Sequence, residues 1–362
     1  MSRVSWAALA AAIALALIPC ACASLADTGR PRPGCIADFD PDADYFPDKS
    51  TVTDAVNFTI SYHRSYQVLT VRQPYPNASA ESYVLVRCGA PAPHLTGDLA
   101  RAQQVTVPVT GLYSASTTHL GMLAELDRTD VVVGHARGAQ VDVEAVVAAD
   151  PDVLVTAGID DPGYARLRDA GVDVLADAEW LEATPLGRAE WVKVFAALTG
   201  TEKNAGELYA KLRGDYGKVT QNARGARPLE VLAGTMHQGA WSMPAGGGYA
   251  GRLIVDAGGS YPWAGDTSTG SLQLNFESVF AKAGHAPRWL VTTDWKTLDD
   301  ALAADIRYGR LTAVRDGQVW SAGNDYWERG VARPDLVLAD LVAILHPELA
   351  PDHRFAFYRK LT

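Results

Sequence analysis

Two stretches of the chain repeat one order of apolar and polar positions. Residues 140–158 read QVDVEAVVAADPDVLVTAG, and residues 274–294 read LNFESVFAKAGHAPRWLVTTD. In each stretch a Glu, Glu144 or Glu277, opens a helical pattern that is followed by a short apolar run. Helical spacing followed by a continuous apolar run predicts a helix and a buried strand. The chain is therefore predicted to build the same helix-strand unit twice.

The remaining pattern divides the chain into four parts. Residues 24–103 contain AVNFTISYH, SYQVLTVRQPY and SYVLVRCG, whose alternation predicts a small antiparallel β segment. Strand-like runs alternate with helical stretches in residues 104–187 and again in residues 227–362, which predicts parallel sheets covered by helices. Residues 188–226 carry helical spacing without a strand signal. The predicted fold is α/β: two Rossmann-like lobes with parallel sheets, bridged by a long helix and preceded by the antiparallel segment.

The N-terminus predicts export. Residues 4–18 are an apolar run that suits a signal peptide and is too short to span a membrane. Residues 1–23 end in Ala-Cys-Ala, so cleavage is expected after Ala23. A lipid anchor on Cys20 or Cys22 is the alternative. Either way an extracytoplasmic location, periplasmic or secreted, is expected for the mature chain.

Composition limits the classes of partner. The chain has 362 residues, of which 48% are hydrophobic and 20% charged, so a large core is expected. Its formal net charge is -10 and it has no basic run. Because binding to nucleic acid needs clustered Lys and Arg, no nucleic-acid partner is expected. We expect a monomer.

Four cysteines are present, and two of them fall in the signal region. The other two, Cys35 and Cys88, are predicted to form a disulfide in an oxidising compartment, with two free thiols as the alternative. Asn57 and Asn77 begin glycosylation sequons, which matter only in a eukaryotic host.

Six segments together resemble class III periplasmic binding proteins, the substrate-binding components of ABC importers for ferric siderophores, haem or cobalamin. They are STTHLGMLAELDRTDVVVG, VDVEAVVAADPDVLVTAG, EWLEATPLGRAEWVKVFAAL, LIVDAGGSY, NFESVFAKA and NDYWERGVARPDLVLADLVAILHPEL, and they cover most of residues 105–349. The resemblance implies two lobes with limited hinge motion, a ligand cleft between them and a membrane permease as partner. It also implies that Glu144 and Glu277 dock on Arg residues of the permease. The alternative role for each Glu is a favourable charge at a helix N-terminus.

Large planar or chelated ligands are bound by aromatic walls and a few cationic groups. Arg188 and Glu182 are predicted to be structural and to pin the interlobe segment. A Trp that covers the core, or a Ser-Thr-Thr helix cap, is the alternative role for several candidates. The predicted ligand contacts are Ser116, Thr117, Trp241, Tyr249, Trp295, Tyr326, Trp327 and Arg333.

The expected ligand is an Fe(III) chelate, cobalamin or haem, bound without covalent chemistry and without a resident cofactor. The eight His form no H-x-x-x-H pair, so no protein-bound metal is expected, although His237 lies near the predicted cleft. The chain has no G-x-S-x-G elbow and no phosphate-loop Lys, so enzymatic turnover is not expected. A direct metal-ion binding protein and a ligand-sensing extracellular domain without transport remain the alternatives.

Overall fold

The computed structural model describes residues 34–136, 140–323 and 325–362. The predicted signal peptide, its cleavage site and the alternative anchor cysteines lie outside these residues. Within the described part of the chain, none of the helices has both the length and the apolar character needed to cross a bilayer.

A four-stranded sheet forms the N-terminal part of the structure. Its first three strands are antiparallel, as their alternating pattern predicts, and the fourth pairs parallel with the third. We placed this fourth strand in the first α/β lobe, and in the structure the strand is hydrogen-bonded to the third strand of the N-terminal sheet. Its residues Val105 and Val107 share one buried face and extend the N-terminal sheet. The strands are β1 (Phe58–Tyr62), β2 (Tyr66–Val71), β3 (Glu81–Arg87) and β4 (Gln103–Val107).

The disulfide predicted between Cys35 and Cys88 is present. It joins the start of the described chain to the residue after β3, across 53 positions of sequence. Closing a loop of this length in the unfolded chain corresponds to about 4 kcal/mol of stabilisation in the chain-entropy treatment. The leading segment is therefore covalently held to the N-terminal sheet.

The first lobe has an all-parallel sheet in the order β6-β5-β7-β8. Its core continues into the N-terminal sheet: Phe58 and Leu85 belong to the same buried cluster as Leu112 and Val155. The N-terminal sheet is thus part of this lobe rather than an appendage. The elements are β5 (Leu112–Ser114), β6 (Val132–His135), β7 (Val153–Val155), β8 (Val174–Leu175), α1 (Thr117–Glu125), α2 (Val143–Ala149) and α3 (Gly163–Asp169).

Two buried carboxylates fasten the segment that leads into β1. Glu190 pairs with Lys193, and Glu182 accepts a hydrogen bond from the indole nitrogen of Trp191. A buried carboxylate needs such donors because burial removes its hydration. The structure confirms the pinning role predicted for Glu182. The two carboxylates also accept the backbone N–H groups of Thr53, Asp54, Ala55, Val56 and Asn57.

The bridge between the lobes contains three consecutive helices, and the first of them begins at Pro185, before the predicted bound of residue 188. The last of them has 22 residues, a length of about 33 Å, and it packs against a C-terminal helix of the second lobe. The middle helix carries Phe195 and Leu198 into the core of the first lobe. The bridge is therefore bound to both lobes. Its helices are α4 (Pro185–Ala189), α5 (Val192–Thr199) and α6 (Glu202–Ala223).

The second lobe has a five-stranded sheet in the order β12-β9-β14-β15-β16, parallel except for its last strand. A three-stranded antiparallel sheet, which we did not predict, lies beside it in the order β10-β11-β13. The strands are β9 (Leu229–Ala233), β10 (Thr235–His237), β11 (Ala240–Pro244), β12 (Gly259–Ser260), β13 (Ser271–Leu274), β14 (Arg288–Thr292), β15 (Val319–Ala322) and β16 (Tyr358–Lys360). The helices are α7 (Tyr249–Asp256), α8 (Phe276–Ala283), α9 (Leu298–Ala304), α10 (Thr312–Arg315) and α11 (Pro334–Leu345).

The lobes meet directly where α1 packs against the π-helical turn Tyr326–Gly330. A Cβ atom added to Gly121 of α1 would lie 1.6 Å from the carbonyl oxygen of Glu328. Only a residue without a side chain permits this approach. The contact holds the carboxyl ends of the two parallel sheets on either side of one cleft.

Candidate functional site

A cavity of about 500 Å³ opens at the carboxyl ends of the strands of the second lobe. Ala233 ends β9 and Thr292 ends β14, and both residues line it. In open α/β sheets this edge is where ligands bind. Trp180, which follows β8 of the first lobe, faces the cavity from across the cleft.

Aromatic side chains form the rim of this larger cavity. Tyr249, Tyr326 and Trp327 line it as predicted, together with Trp180. Tyr326 is buried, Trp327 is 39% exposed, and their ring centroids lie 5.0 Å apart. Tyr249 stands at the start of α7, directly after the glycine-rich loop. Contact of these residues with a ligand remains a prediction.

A smaller cavity of about 210 Å³ lies at the carboxyl ends of the strands of the first lobe. It shares Trp180, Tyr249 and Trp327 with the larger cavity, so the two are compartments of one interlobe cleft. Ser116 lines it as predicted and also caps α1, since its hydroxyl accepts a hydrogen bond from the backbone N–H of Thr118.

Four predicted contacts are corrected by the structure. Trp241 is fully buried among the aromatic rings of the second lobe, and its indole nitrogen donates to the carbonyl oxygen of Ala233. Trp295 packs on Trp289 and Tyr308 of the same group. Trp241 lies in the core and Trp295 packs against it partly buried, which agrees with the alternative stated for a Trp that covers the core. Neither ring lines either cavity.

Thr117 and Arg333 also lie away from the residues that line the cavities. Thr117 is exposed at the start of α1. The Arg333 guanidinium is bound to Asp335 at 2.8 Å and lies 3.7 Å from Glu125 of the first lobe. It links the lobes instead of facing the cleft.

Charged side chains are buried in the wall of the smaller cavity. Arg188 forms a bidentate ion pair with Glu179, with distances of 3.0 and 3.1 Å, and its guanidinium lies 3.9 Å from the ring centre of Tyr249. Two opposed charges that are both buried are stabilised by such geometry. We predicted a structural role for Arg188, and the structure adds that it lines the cleft.

Burial shifts the protonation of two further residues of this wall. It lowers the pKa of His119 to about 4, so the ring is neutral at pH 7. Burial, reinforced by the neighbouring Glu179, raises the pKa of Asp177 well above its ordinary value. The sequence analysis missed both residues and Trp180. For Asp177 and Trp180 the signal was the run ADAEW, in which polar residues follow a buried parallel strand.

The two repeated units place their Glu residues alike. Glu144 and Glu277 are exposed in the first turns of α2 and α8, and these helices are capped by Asp142 and Asn275. Glu277 differs in being bound to Arg310 at 3.0 Å. Permease docking remains a prediction for both.

His237 is exposed and lines the larger cavity. Among residues 34–136, 140–323 and 325–362, no group of three or more His, Cys, Asp or Glu is placed to hold a metal ion.

Comparison with known proteins identifies the family to which the chain belongs. The periplasmic binding protein family matches residues 101–326, more than half of the chain. The chain is 27% identical over 288 residues to the uncharacterized lipoprotein MJ0878 of Methanocaldococcus jannaschii. The aligned residues cover 71% of this chain and 70% of that protein.

Two solved structures share the fold. A periplasmic haem binding protein from Pseudomonas aeruginosa has a TM-score of 0.56 and 19% identity, covering 70% of this chain and 98% of that one. A protein of the ABC-type Fe3+-hydroxamate transport system from Saccharomonospora viridis has a TM-score of 0.53 and 18% identity, covering 66% and 93%. The chain therefore belongs to the periplasmic binding protein family.

Proposed function

We propose that this protein captures a ferric siderophore or a related chelate, cobalamin or haem, between its lobes and delivers it to an ABC importer. The observation that carries the proposal is the larger cavity. Its volume of about 500 Å³ lies within the roughly 300–1,000 Å³ range of small-molecule sites. Aromatic rims of this kind suit a bulky, partly apolar ligand.

The wall of the larger cavity favours a chelate of low net charge. Leu253, Ile254 and Leu290 supply apolar surface, while Thr235 and Ser242 supply neutral hydrogen-bonding groups. A ferric trihydroxamate, whose three ligand charges balance the metal, matches such a wall. The haem and Fe3+-hydroxamate names of the similar structures agree with this class of ligand.

Ligand binding is tested by titrating the mature protein with ferrichrome, haemin and cyanocobalamin. Trp180 and Trp327 line the cleft, so their fluorescence should be quenched as the site fills. We expect saturable quenching by one of the three, after correction for absorption by the ligand. A folded protein that binds none of them would contradict the proposal.

Delivery requires contact with the permease, and Glu144 and Glu277 are the proposed contacts. Exposed charges at the rim of an interface steer association and set its register. Because Arg310 already binds Glu277, a permease Arg would replace an existing partner on the second lobe.

The docking role is tested by exchanging both Glu residues for Arg in a reconstituted importer. Transport should fall while the affinity for the chelate stays within about twofold of wild type, since neither side chain lines the cleft. Loss of ligand affinity, or unchanged transport, would exclude docking through these carboxylates.

A further inference from the structure

The smaller cavity contains a hydrogen-bonding system whose proton positions can be worked out. The Ser114 hydroxyl donates to the carbonyl oxygen of Ser116 at 2.6 Å, and it lies 2.8 Å from Nδ1 of His119. Since a carbonyl oxygen only accepts, the hydroxyl proton is used there, and the hydroxyl oxygen accepts from His119. The proton of the neutral ring therefore sits on Nδ1, and Nε2 presents a lone pair.

That lone pair faces an oxygen that also lacks a donor. Oδ1 of Asp177 accepts the backbone N–H of Glu179. Oδ2 lies 3.4 Å from Nε2 of His119, and it has no hydrogen-bond partner within the described chain. Both side chains are 1% exposed. Burial raises the pKa of Asp177 because its unpaired carboxylate is unfavourable on its own. An incoming cationic donor would stabilise the ionised carboxylate and satisfy both acceptors.

The charged residues in the wall of the smaller cavity also favour a ligand group that donates hydrogen bonds. Asp177 and Glu179 are both buried beside the cavity, and Glu179 already engages Arg188 through both oxygens. Arg188 therefore balances Glu179, and an ionised Asp177 would be left without a cation. A ligand group that carries both a positive charge and N–H donors would satisfy the two acceptors together.

We propose that the smaller cavity is a subsite for a primary ammonium group, carried on an arm of the ligand whose body occupies the larger cavity. The proposal rests on the proposed function for the body of the ligand, and it adds the chemistry of the arm. The arm would pass between Trp180, Tyr249 and Trp327, the residues that the two compartments share. Its N–H groups would be received by Oδ2 of Asp177 and Nε2 of His119.

The subsite is tested with small probes, independently of any chelate. The ¹⁵N resonances of His119 are followed in the full mature protein during titration with methylammonium and, separately, with tetramethylammonium. The two ions carry the same charge, but only the first has N–H donors. We expect a saturable shift at Nε2 of His119 with methylammonium alone. His237, which lines the other compartment, is the internal control and should not shift.

An absent response of His119, or an equal response to both ions, would overturn the subsite. If the Asp177→Asn variant folds, it should show no response to methylammonium. If it does not fold, the comparison of methylammonium with tetramethylammonium on the wild-type protein tests the subsite. With ferric desferrioxamine B, which ends in a primary amine, we expect affinity at least tenfold above that of its N-acetyl derivative. If His119 responds to methylammonium but no chelate binds, the proposed function fails and the subsite stands.

Discussion

The two walls of the cleft differ in chemistry although both stand at the carboxyl ends of parallel strands. The wall from the second lobe is built from aromatic and aliphatic side chains around a cavity of about 500 Å³. The wall from the first lobe, completed by Arg188 of the bridge, surrounds about 210 Å³ with His119, Asp177 and Glu179. One wall can bury the apolar surface of a ligand, and the other can recognise a polar group by charge and hydrogen bonding.

This difference indicates a division of binding roles between the lobes. Apolar burial is proportional to area and tolerates many shapes. Buried charges, in contrast, discriminate strongly because an unmatched group remains desolvated. We therefore infer that the second lobe supplies most of the affinity for the body of the ligand and that the first lobe supplies selectivity.

Replacement of Arg188 by Met should have the largest effect on the free energy of unfolding. Among the residues that the structure describes, Arg188 is the hydrogen-bonding partner of the Glu179 carboxylate, so its removal leaves a buried charge uncompensated. We expect the free energy of unfolding to fall by about 3–5 kcal/mol, measured by urea denaturation. A variant as stable as wild type would show that the buried Glu179 carboxylate does not need Arg188 as its partner.

The pH dependence of stability isolates His119. Its pKa is about 4 in the folded protein against 6.5 for an exposed imidazole, so only the unfolded chain gains a proton between these values. The stability contributed by the neutral ring is present above about pH 6.5 and is lost toward pH 4, by about 3 kcal/mol in total.

The measurement compares wild type with a His119→Gln variant by urea denaturation at pH 6.5, 5.5 and 4.5. Asp177 acts in the opposite direction, because its raised pKa favours the folded state at low pH. Because Asp177 lies 3.4 Å from His119, the difference between the two slopes reports the loss of the imidazole together with its effect on Asp177. Parallel slopes would contradict the buried neutral ring.

Replacement of Trp327 by Ala tests the aromatic wall. The ring is 39% exposed at the mouth shared by both compartments. We expect about a tenfold loss of chelate affinity, equivalent to about 1.4 kcal/mol, with the free energy of unfolding nearly unchanged. The matched control is Trp241→Phe in the core, which should lower stability and leave affinity intact. The reverse pattern would place the ligand elsewhere.

Arg310→Met should have the smallest effect and serves as the control for Arg188. Arg310 and Glu277 form an ion pair whose side chains are 48% and 66% exposed. Exposed pairs contribute less than about 1 kcal/mol, and the pair lies away from the residues that line the cleft. A loss comparable to that of Arg188→Met, again by urea denaturation, would remove the contrast between buried and exposed pairs.

Local patterns predicted the fold well, because apolar periodicity reports which face of an element is buried. The two repeated helix-strand units follow from such patterns, whereas the disulfide follows from the two cysteines that lie outside the signal region. The pairing of β4 with β3 could not be predicted from local pattern. The strand could have joined either of two sheets that share one core, and tertiary packing decides between them.

The candidate site was predicted only in part, because tertiary structure brings some of its residues together. Tyr249, Tyr326 and Trp327 stand at the starts of helical segments that follow loops, and they were recognised as candidates. Trp241 has similar sequence surroundings, but its position in β11 directs the ring into the core. His119 and Asp177 are far apart in sequence, and only the fold brings Nε2 and Oδ2 within 3.4 Å.

The most direct test of the central claim is the position of the metal in a crystal of the protein with whichever chelate binds. An anomalous difference map would locate the iron, or the cobalt of cobalamin. We predict one strong peak in the larger cavity, between Tyr249 and Trp327 and on the side of the second lobe. A peak outside the interlobe cleft, for example in the cavity beside Tyr75 and Arg168, would contradict the account.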